Sequence, residues 1–296
     1  MPAGKTAVAM LSGGRDSVCL LDLAVRLLGP DAVTALHVNY GLRDDSDADE
    51  AHCAELCERL GVRLEVERPR RPEGPGNLQA WARDSRYAAA ARLALTRDAT
   101  IATGHTADDQ VETILYRLAS SPSRRALLGM RPRDGSLVRP LLGFTRAQTT
   151  AYCEERRLRW RDDPTNAEAG YARNRVRHRL APALAEIHPA AARNVLRTAE
   201  LLRDEAEVLD ALLDAELGGS NGSGATIELD RLAELPPALR RLVVQRLADR
   251  AAGRPVPGAA NHADEVAALR RTGTAMLDLG GGVRAVATRG VLHAER

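Results

Sequence analysis

The stretch Thr6-Ala7-Val8-Ala9-Met10-Leu11-Ser12-Gly13-Gly14-Arg15-Asp16-Ser17, continued to Leu28, decides the fold of this chain. Thr6 to Leu11 is a short apolar run of the kind that becomes a strand buried on both faces of a parallel sheet. Asp16 to Leu28 repeats at the helical period, with Val18, Leu21, Val25 and Leu28 on one side. Between them lies a turn of glycines and hydroxyls. Two adjacent glycines let the backbone approach a ligand closely. A helix start adds unpaired N–H groups and the positive end of the helix dipole. Ser12 and Ser17 contribute hydroxyl donors, so the expected guest is phosphate. The competing reading is an ordinary Gly-Gly connection, since short glycine motifs recur by chance. The turn matches neither GxxxxGKS/T nor GxGxxG, which argues against a Walker-type NTPase and a dinucleotide fold.

Outward from this turn, apolar runs and helical patterns alternate. Ala32 to Val38 reads as a second strand, Asp47 to Leu60 as a helix stopped by Gly61, and Arg63 to Glu67 as an outer strand. A Pro/Gly/Arg loop spans Pro69 to Gly76. A helix capped by Asn77 runs to about Thr96, followed by a strand at Thr100–Thr103 and a helix from His105 to Ser120. Leu137 to Leu142 forms a further strand and its exit, and Thr145 to Leu158 a last helix. This alternation predicts a doubly wound parallel α/β sheet, with the ligand crevice beyond the strand C-termini. The Ser12 turn, the Asn39 loop and the start of the His105 helix all fall there.

Tyr171 to Leu217 is nearly all helical in pattern, interrupted at His188-Pro189, and Gly218 to Gly224 reads as a flexible linker. Beyond it, a strand at Thr226–Leu229, helices from near Pro236 and Ala259, and strands at 275–279, 283–287 and 291–294 predict a small α+β domain. The expected division is 1–170, a helical connector 171–217, the linker 218–224 and 225–296.

With 296 residues, 44% hydrophobic and 28% charged, the composition is that of a globular protein. Net charge is only +2, too little to argue for a polyanion by itself. Its distribution is more telling: Ser121 to Leu180 holds fourteen arginines against six acids, whereas Asp44 to Glu50 is acidic. These are either solvated faces or one side that meets a polyanion. Cysteines 19, 53, 57 and 153 form no C-x-x-C pair. Together with the lack of a targeting pattern or a span of roughly 20 apolar residues, this leads to the expectation of a reduced, cytoplasmic protein that does not enter a membrane.

Several constellations could carry chemistry. On the helix from His105, the residues His105, Asp109 and Glu112 are spaced i, i+4, i+7 and so share one face. Ionisable groups converging there are costly to bury without a ligand. A carboxylate pair suits Mg²⁺ or an ammonium, and the alternative is plain helix capping. Arg83 and Arg86 lie three apart on one helix. Arg173-Asn174-Arg175-Val176-Arg177 is a basic run that would neutralise phosphates or simply face solvent. Trp81 and Trp160 read as packing residues before base-stacking platforms.

Taken in order, SGGRDS (12–17), HVNYGLR (37–43), ARDSRY (82–87), TGHTADDQVET (103–113), RPLL (139–142), DPTN (163–166) and RNRVRH (173–178) resemble the tRNA(Ile)-lysidine synthetase family of PP-loop ATP pyrophosphatases. Two departures stand out. Tyr40 occupies a position where the family pattern usually has a histidine, and the sequence ends before the additional C-terminal domain that many relatives carry.

The resemblance implies an adenine nucleotide α-hydrolase-like fold and a ligase using ATP, Mg²⁺, L-lysine and an isoleucine tRNA with anticodon CAU. It implies that Ser12, Gly13, Gly14, Arg15, Asp16 and Ser17 hold the nucleotide, with Asp16 on the metal. Arg83 and Arg86 would meet the α-phosphate or the activated base. His105, Asp109 and Glu112 would bind and orient lysine, and a carboxylate of raised pKa could also take its proton. Arg173, Asn174, Arg175 and Arg177 would contact tRNA or pyrophosphate. A homodimer is left open. The alternatives are a PP-loop tRNA 2-thiolation enzyme and a non-catalytic nucleotide-binding module.

Overall fold

The computed structural model describes residues 6–42, 44–72, 77–121, 124–161, 172–218 and 225–296. Arg43, Asp163 to Asn166, Tyr171 and most of the glycine linker, all singled out in the sequence, lie outside them. The chain divides into two compact units, Met1–Glu200 and Leu201–Arg296.

In the first unit the expected alternation is present. Strand β1 (Thr6–Met10) leads through the Ser12 turn into helix α1 (Arg15–Leu28). Then come β2 (Val33–Val38), α2 (Ser46–Leu60), β3 (Arg63–Glu67), α3 (Leu78–Arg97), β4 (Ala99–Ala102) and α4 (Ala107–Ser120). A short α5 (Arg124–Leu127) and the pair β5 (Arg133–Asp134) and β6 (Leu137–Val138) precede α6 (Arg146–Glu155). Local chemistry sets the boundaries. The Asn77 side chain caps α3 by accepting the Ala80 N–H at 3.1 Å, and Gly61 ends α2 in the left-handed region at φ 67°.

The sheet order is β3-β2-β1-β4-β6-β5, parallel except for β5, which pairs antiparallel with β6. Alternate residues of β1 feed opposite faces. Val8 and Met10 pack with Leu36, Ile101 and the alanines 89, 90 and 94 of α3. Ala9 and Leu11 pack with Val18, Leu21, Leu56 and Cys153 from α1, α2 and α6. Both faces are therefore covered, and side chains such as Leu20 and Leu21 contribute about 1.5–3 kcal/mol each by leaving water. The neighbours of β1 are β2 on one side and β4 on the other, so the chain order reverses at β1. In sheets of this kind the ligand crevice lies at such a reversal, here beyond the C-terminal ends of β1 and β4.

The start of α4 differs from expectation. Thr106 caps this helix, its hydroxyl accepting the Asp109 N–H, and the Asp109 carboxylate accepts the Thr106 N–H in return. His105 thus precedes the helix and does not share its face with Asp109 and Glu112. After the undescribed segment come α7 (Ala172–Arg175), a π-helical turn over Val176–Leu180, α8 (Ala181–Ile187) and α9 (Ala191–Glu216), which continues into the second unit.

The second unit is α+β. Strands β7 (Ile227–Glu228), β8 (Thr274–Gly280), β9 (Val283–Thr288) and β10 (Val291–Glu295) form an antiparallel sheet in the order β7-β10-β9-β8. Helices α10 (Leu229–Glu234), α11 (Pro237–Ala252) and α12 (Ala263–Ala267) complete a core built on Leu229, Leu232, Val243, Leu247, Val283 and Leu292. Helix α10 was not expected from the sequence. Among the described residues no helix is long and apolar enough to cross a membrane.

Candidate active site

The Ser12–Ser17 turn is held by its own hydroxyls. Ser17 Oγ donates to the Gly14 carbonyl at 2.7 Å and accepts the Ser12 N–H at 3.1 Å, while Ser12 Oγ accepts the Gly14 N–H at 3.4 Å. Gly13 takes φ +81°, and a Cβ there would lie 3.4 Å from Cys53 Sγ. Behind the turn, the Arg161 N–H donates to the Gly13 carbonyl at 3.0 Å, and the Arg161 side chain pairs with Asp49 at 2.6 Å. Trp160, the preceding residue, packs partly buried against the α1–α2–α6 core. Gly104, at the exit of β4, presses against the first turn of α1: a Cβ would stand 2.9 Å from the Asp16 carbonyl oxygen. Only a residue without a side chain fits that approach.

Across the crevice stand the carboxylates of α4. Glu112 is 2% exposed and accepts three guanidiniums: Arg146 at 3.3 Å, Arg173 at 3.2 Å and Arg177 at 2.7 Å. Asp109 uses one oxygen for the cap and the other for Arg146 at 3.2 Å, Arg173 at 3.3 Å and Arg177 at 3.6 Å. Arg146 also reaches Asp16 at 3.8 Å, and Thr149 of the same helix donates to the other Asp16 oxygen. Of the residues singled out in the sequence, Asp16, Asp109 and Glu112 therefore meet around one guanidinium, and Arg173 and Arg177 reach the latter two carboxylates. Arg146 itself was missed.

Burial tends to raise the Asp109 carboxyl. The Thr106 backbone N–H, Arg173, Arg146 and His105 outweigh it and hold the group below its ordinary range. The expectation of a carboxylate poised as base by a raised pKa thus fails at Asp109, which stays charged. His105 is pushed down to about 4, first by burial and then by Arg173, Arg139 and Arg86, against the pull of Asp109. It is neutral at pH 7, with Nδ1 and Thr103 Oγ1 2.9 Å apart. Burial lowers Arg117, and the nearby charges of Arg83, Arg139 and Arg173 lower it further. Like charges gathered at this depth leave that side of the crevice electropositive.

Arg83 and Arg86 lie over Tyr87, at 4.9 and 5.7 Å from the ring centre. The Arg86 Nε is buried with no hydrogen-bond partner among the described residues. Tyr40 fastens the end of β2 to α3. Its hydroxyl donates to the Ala82 carbonyl at 2.9 Å, and its ring meets Trp81 edge-on at 5.7 Å. The basic run around Asn174 and Arg175 belongs to α7, of which Arg173 and, just beyond it, Arg177 turn to the carboxylates. Burial pushes Cys53 to about 12 and Cys57 to about 11, so both stay thiols. Among the described residues no group of three His, Cys, Asp or Glu side chains is arranged to hold a metal ion.

A strand, a hydroxyl-tied glycine turn and a helix N-terminus at the switch point of a parallel sheet define a PP-loop nucleotide-binding domain. The family model described as PP-loop domain matches residues 2–184. A tRNA(Ile)-lysidine synthase of Thermus thermophilus is 40% identical over 255 residues, covering 84% of this chain and 49% of that protein. The tRNA(Ile)-lysidine synthase of Mycolicibacterium paratuberculosis is 39% identical over 236 residues, covering 79% of this chain and 72% of that one. The chain belongs to the tRNA(Ile)-lysidine synthase family. It spans about half the length of several curated relatives, 48% of the Pseudomonas fluorescens protein and 49% of the Thermus one. Among solved structures, the U34-tRNA thiolase NcsA from Methanococcus maripaludis superposes with TM-score 0.57 at 17% identity, over 68% of this chain and 74% of its own. That likeness is one of fold.

Proposed function

We propose that the chain is a carbon–nitrogen ligase that converts the wobble cytidine of a CAU-anticodon isoleucine tRNA to lysidine, using ATP and L-lysine in the cytoplasm. The observation that carries this reading is the meeting of Asp16 and the Asp109–Glu112 pair on Arg146, which sets a phosphate loop beside carboxylates suited to an ammonium. The base C2 oxygen attacks the α-phosphorus of ATP, and the bond to pyrophosphate breaks. The neutral ε-amine then attacks C2, the C2–O bond breaks, AMP leaves, and one proton is released. Activation comes first because a carbonyl oxygen leaves poorly and AMP leaves well.

The residues divide this work by their chemistry. N–H groups and hydroxyls of Ser12, Gly13, Gly14, Arg15 and Ser17 cradle the phosphates. Asp16 is a single carboxylate with a side chain about one fifth exposed, which fits a Mg²⁺ that keeps most of its ligands from phosphate and water. Such an ion supplies neutralisation of the departing pyrophosphate. Arg83 and Arg86, with an unmade hydrogen bond on the latter, receive the α-phosphate or the activated base. Asp109 and Glu112 bind the lysine ammonium, and neutral His105 orients the amine beside them. Arg173, Asn174, Arg175 and Arg177 contact pyrophosphate or the anticodon arm, giving salt-dependent binding.

The test is mass spectrometry of the isoleucine tRNA after incubation with ATP, Mg²⁺ and L-lysine. The expected product carries one lysine less water, and it is lost when ATP is omitted. Added sulfur, or an unaltered tRNA, overturns the reading.

A further inference from the structure

Arg146 belongs to none of the motifs that carry the family resemblance, yet it sits where the two halves of the site touch. Thr145 and Gln148 cap α6 reciprocally, which fixes the first turn. The Arg146 N–H then donates to Asp108 Oδ2 at 2.7 Å, so the root of its side chain is tied to the first turn of α4. From that anchor its guanidinium reaches Asp16 at 3.8 Å, Asp109 at 3.2 Å and Glu112 at 3.3 Å, with the side chain 22% exposed. Burial would lower its pKa, but Asp109, Glu112, Asp108 and Asp16 together raise it, so the charge is permanent. Arg173 and Arg177 come from α7 and the π-helical turn, and their ion pairs among the described residues are with Asp109 and Glu112. They neutralise the acid pair, whereas Arg146 also links it to the loop.

We propose that Arg146 is a positioning residue that couples nucleotide binding at the Ser12–Ser17 loop to amine binding at Asp109 and Glu112, an inference that rests on the function proposed above. One cation shared by three carboxylates shifts toward whichever side gains negative charge. Phosphates arriving beside Asp16 draw the guanidinium to the loop and free acceptor capacity on Asp109 and Glu112 for an ammonium. An ammonium on that pair pushes Arg146 the other way, where it becomes a donor to phosphate. Linkage makes the two effects equal.

The affinity of L-lysine for the full chain, measured by calorimetry alone and with saturating α,β-methylene-ATP and Mg²⁺, reads this coupling. Wild type should bind lysine about tenfold more tightly with the analogue, within the usual range for coupled sites. In Arg146→Gln the ratio should fall to about one with both ligands still bound, and Arg146→Lys should restore part of it, because the charge remains while the planar fork is lost. A purely structural role would weaken both affinities and leave their ratio alone. A wild-type ratio in Arg146→Gln, or a ratio of one in wild type with both ligands bound, overturns the coupling. Should Arg146→Gln not fold, the wild-type ratio and Arg146→Lys still decide. Lysine that binds wild type under neither condition overturns the amine-site reading and the coupling with it.

Discussion

The rim of the parallel sheet and the core of the second unit solve burial in opposite ways. At the rim, Glu112 and Asp109 are withdrawn from water and held by three arginines, with Asp16 joined through one of them. In the second unit the interior is Leu229, Leu232, Val243 and Val283, and ion pairs such as Arg231–Glu216 and Arg240–Asp264 keep at least one partner half or more exposed. Burying charge costs several kcal/mol per ion before partners repay it, so an apolar core of equal volume is often at least as stable. A fold that needed only stability has the second solution available. The first is what the proposed function requires, since its ligands would meet those charges.

The contrast can be broken, beginning with its largest expected effect. Glu112→Ala leaves Arg146 and Arg177, each less than a quarter exposed, without their most buried partner and should destabilise the first unit by about 3–5 kcal/mol, read as faster hydrogen exchange of β1 and β4 amides. Glu112→Gln should fold better and still lose lysine incorporation. A mild loss of stability in Glu112→Ala would mean that the cluster is solvated and the contrast unreal.

Next in size is pH. The His105 pKa is lower in the folded state, at about 4, than the ordinary 6.5, so the unfolded chain binds the extra proton first. Stability should therefore fall as pH drops from 6.5 toward 4, by up to about 3 kcal/mol. His105→Asn should flatten that slope in denaturant titrations. The contribution of Asp109, whose pKa is depressed, is lost only below its ordinary value of 3.8.

Gly104→Ala tests the close approach of β4 to α1. The added methyl meets Asp16 and Ser17 main chain, so a loss of about 1–3 kcal/mol and weaker nucleotide binding are expected together. Unchanged binding of α,β-methylene-ATP in a folded variant would show that the loop tolerates the shift. Last comes Arg231→Ala in the second unit, where no change in melting temperature beyond error should be seen, because an exposed pair contributes little.

Much of this was legible in residue order. The apolar runs at Thr6, Ala32 and Thr100 became neighbouring parallel strands, Asn77 capped its helix, and Gly61 ended one. Where reading by period failed, a local cap decided the matter. Thr106 starts α4 one residue after His105, so a face drawn from His105 was an artefact of the assumed boundary. Arg146 escaped for a different reason: its role arises from Asp16 and Glu112, both far away in sequence, which no local pattern records. The two-residue strand β5 was beyond periodicity altogether, because a pair of residues has no period, whereas β6 fell where the run from Leu137 reads as a strand.

Tryptophan placement has a practical consequence. The chain has two, and Trp81 touches Tyr40 beside the arginine-rich helix while Trp160 adjoins the arginine that holds the Gly13 carbonyl. Replacing either with phenylalanine would leave a single indole emitter. The molecule thus carries one natural optical reporter on α3 and another next to the Ser12–Ser17 turn, with no label to attach.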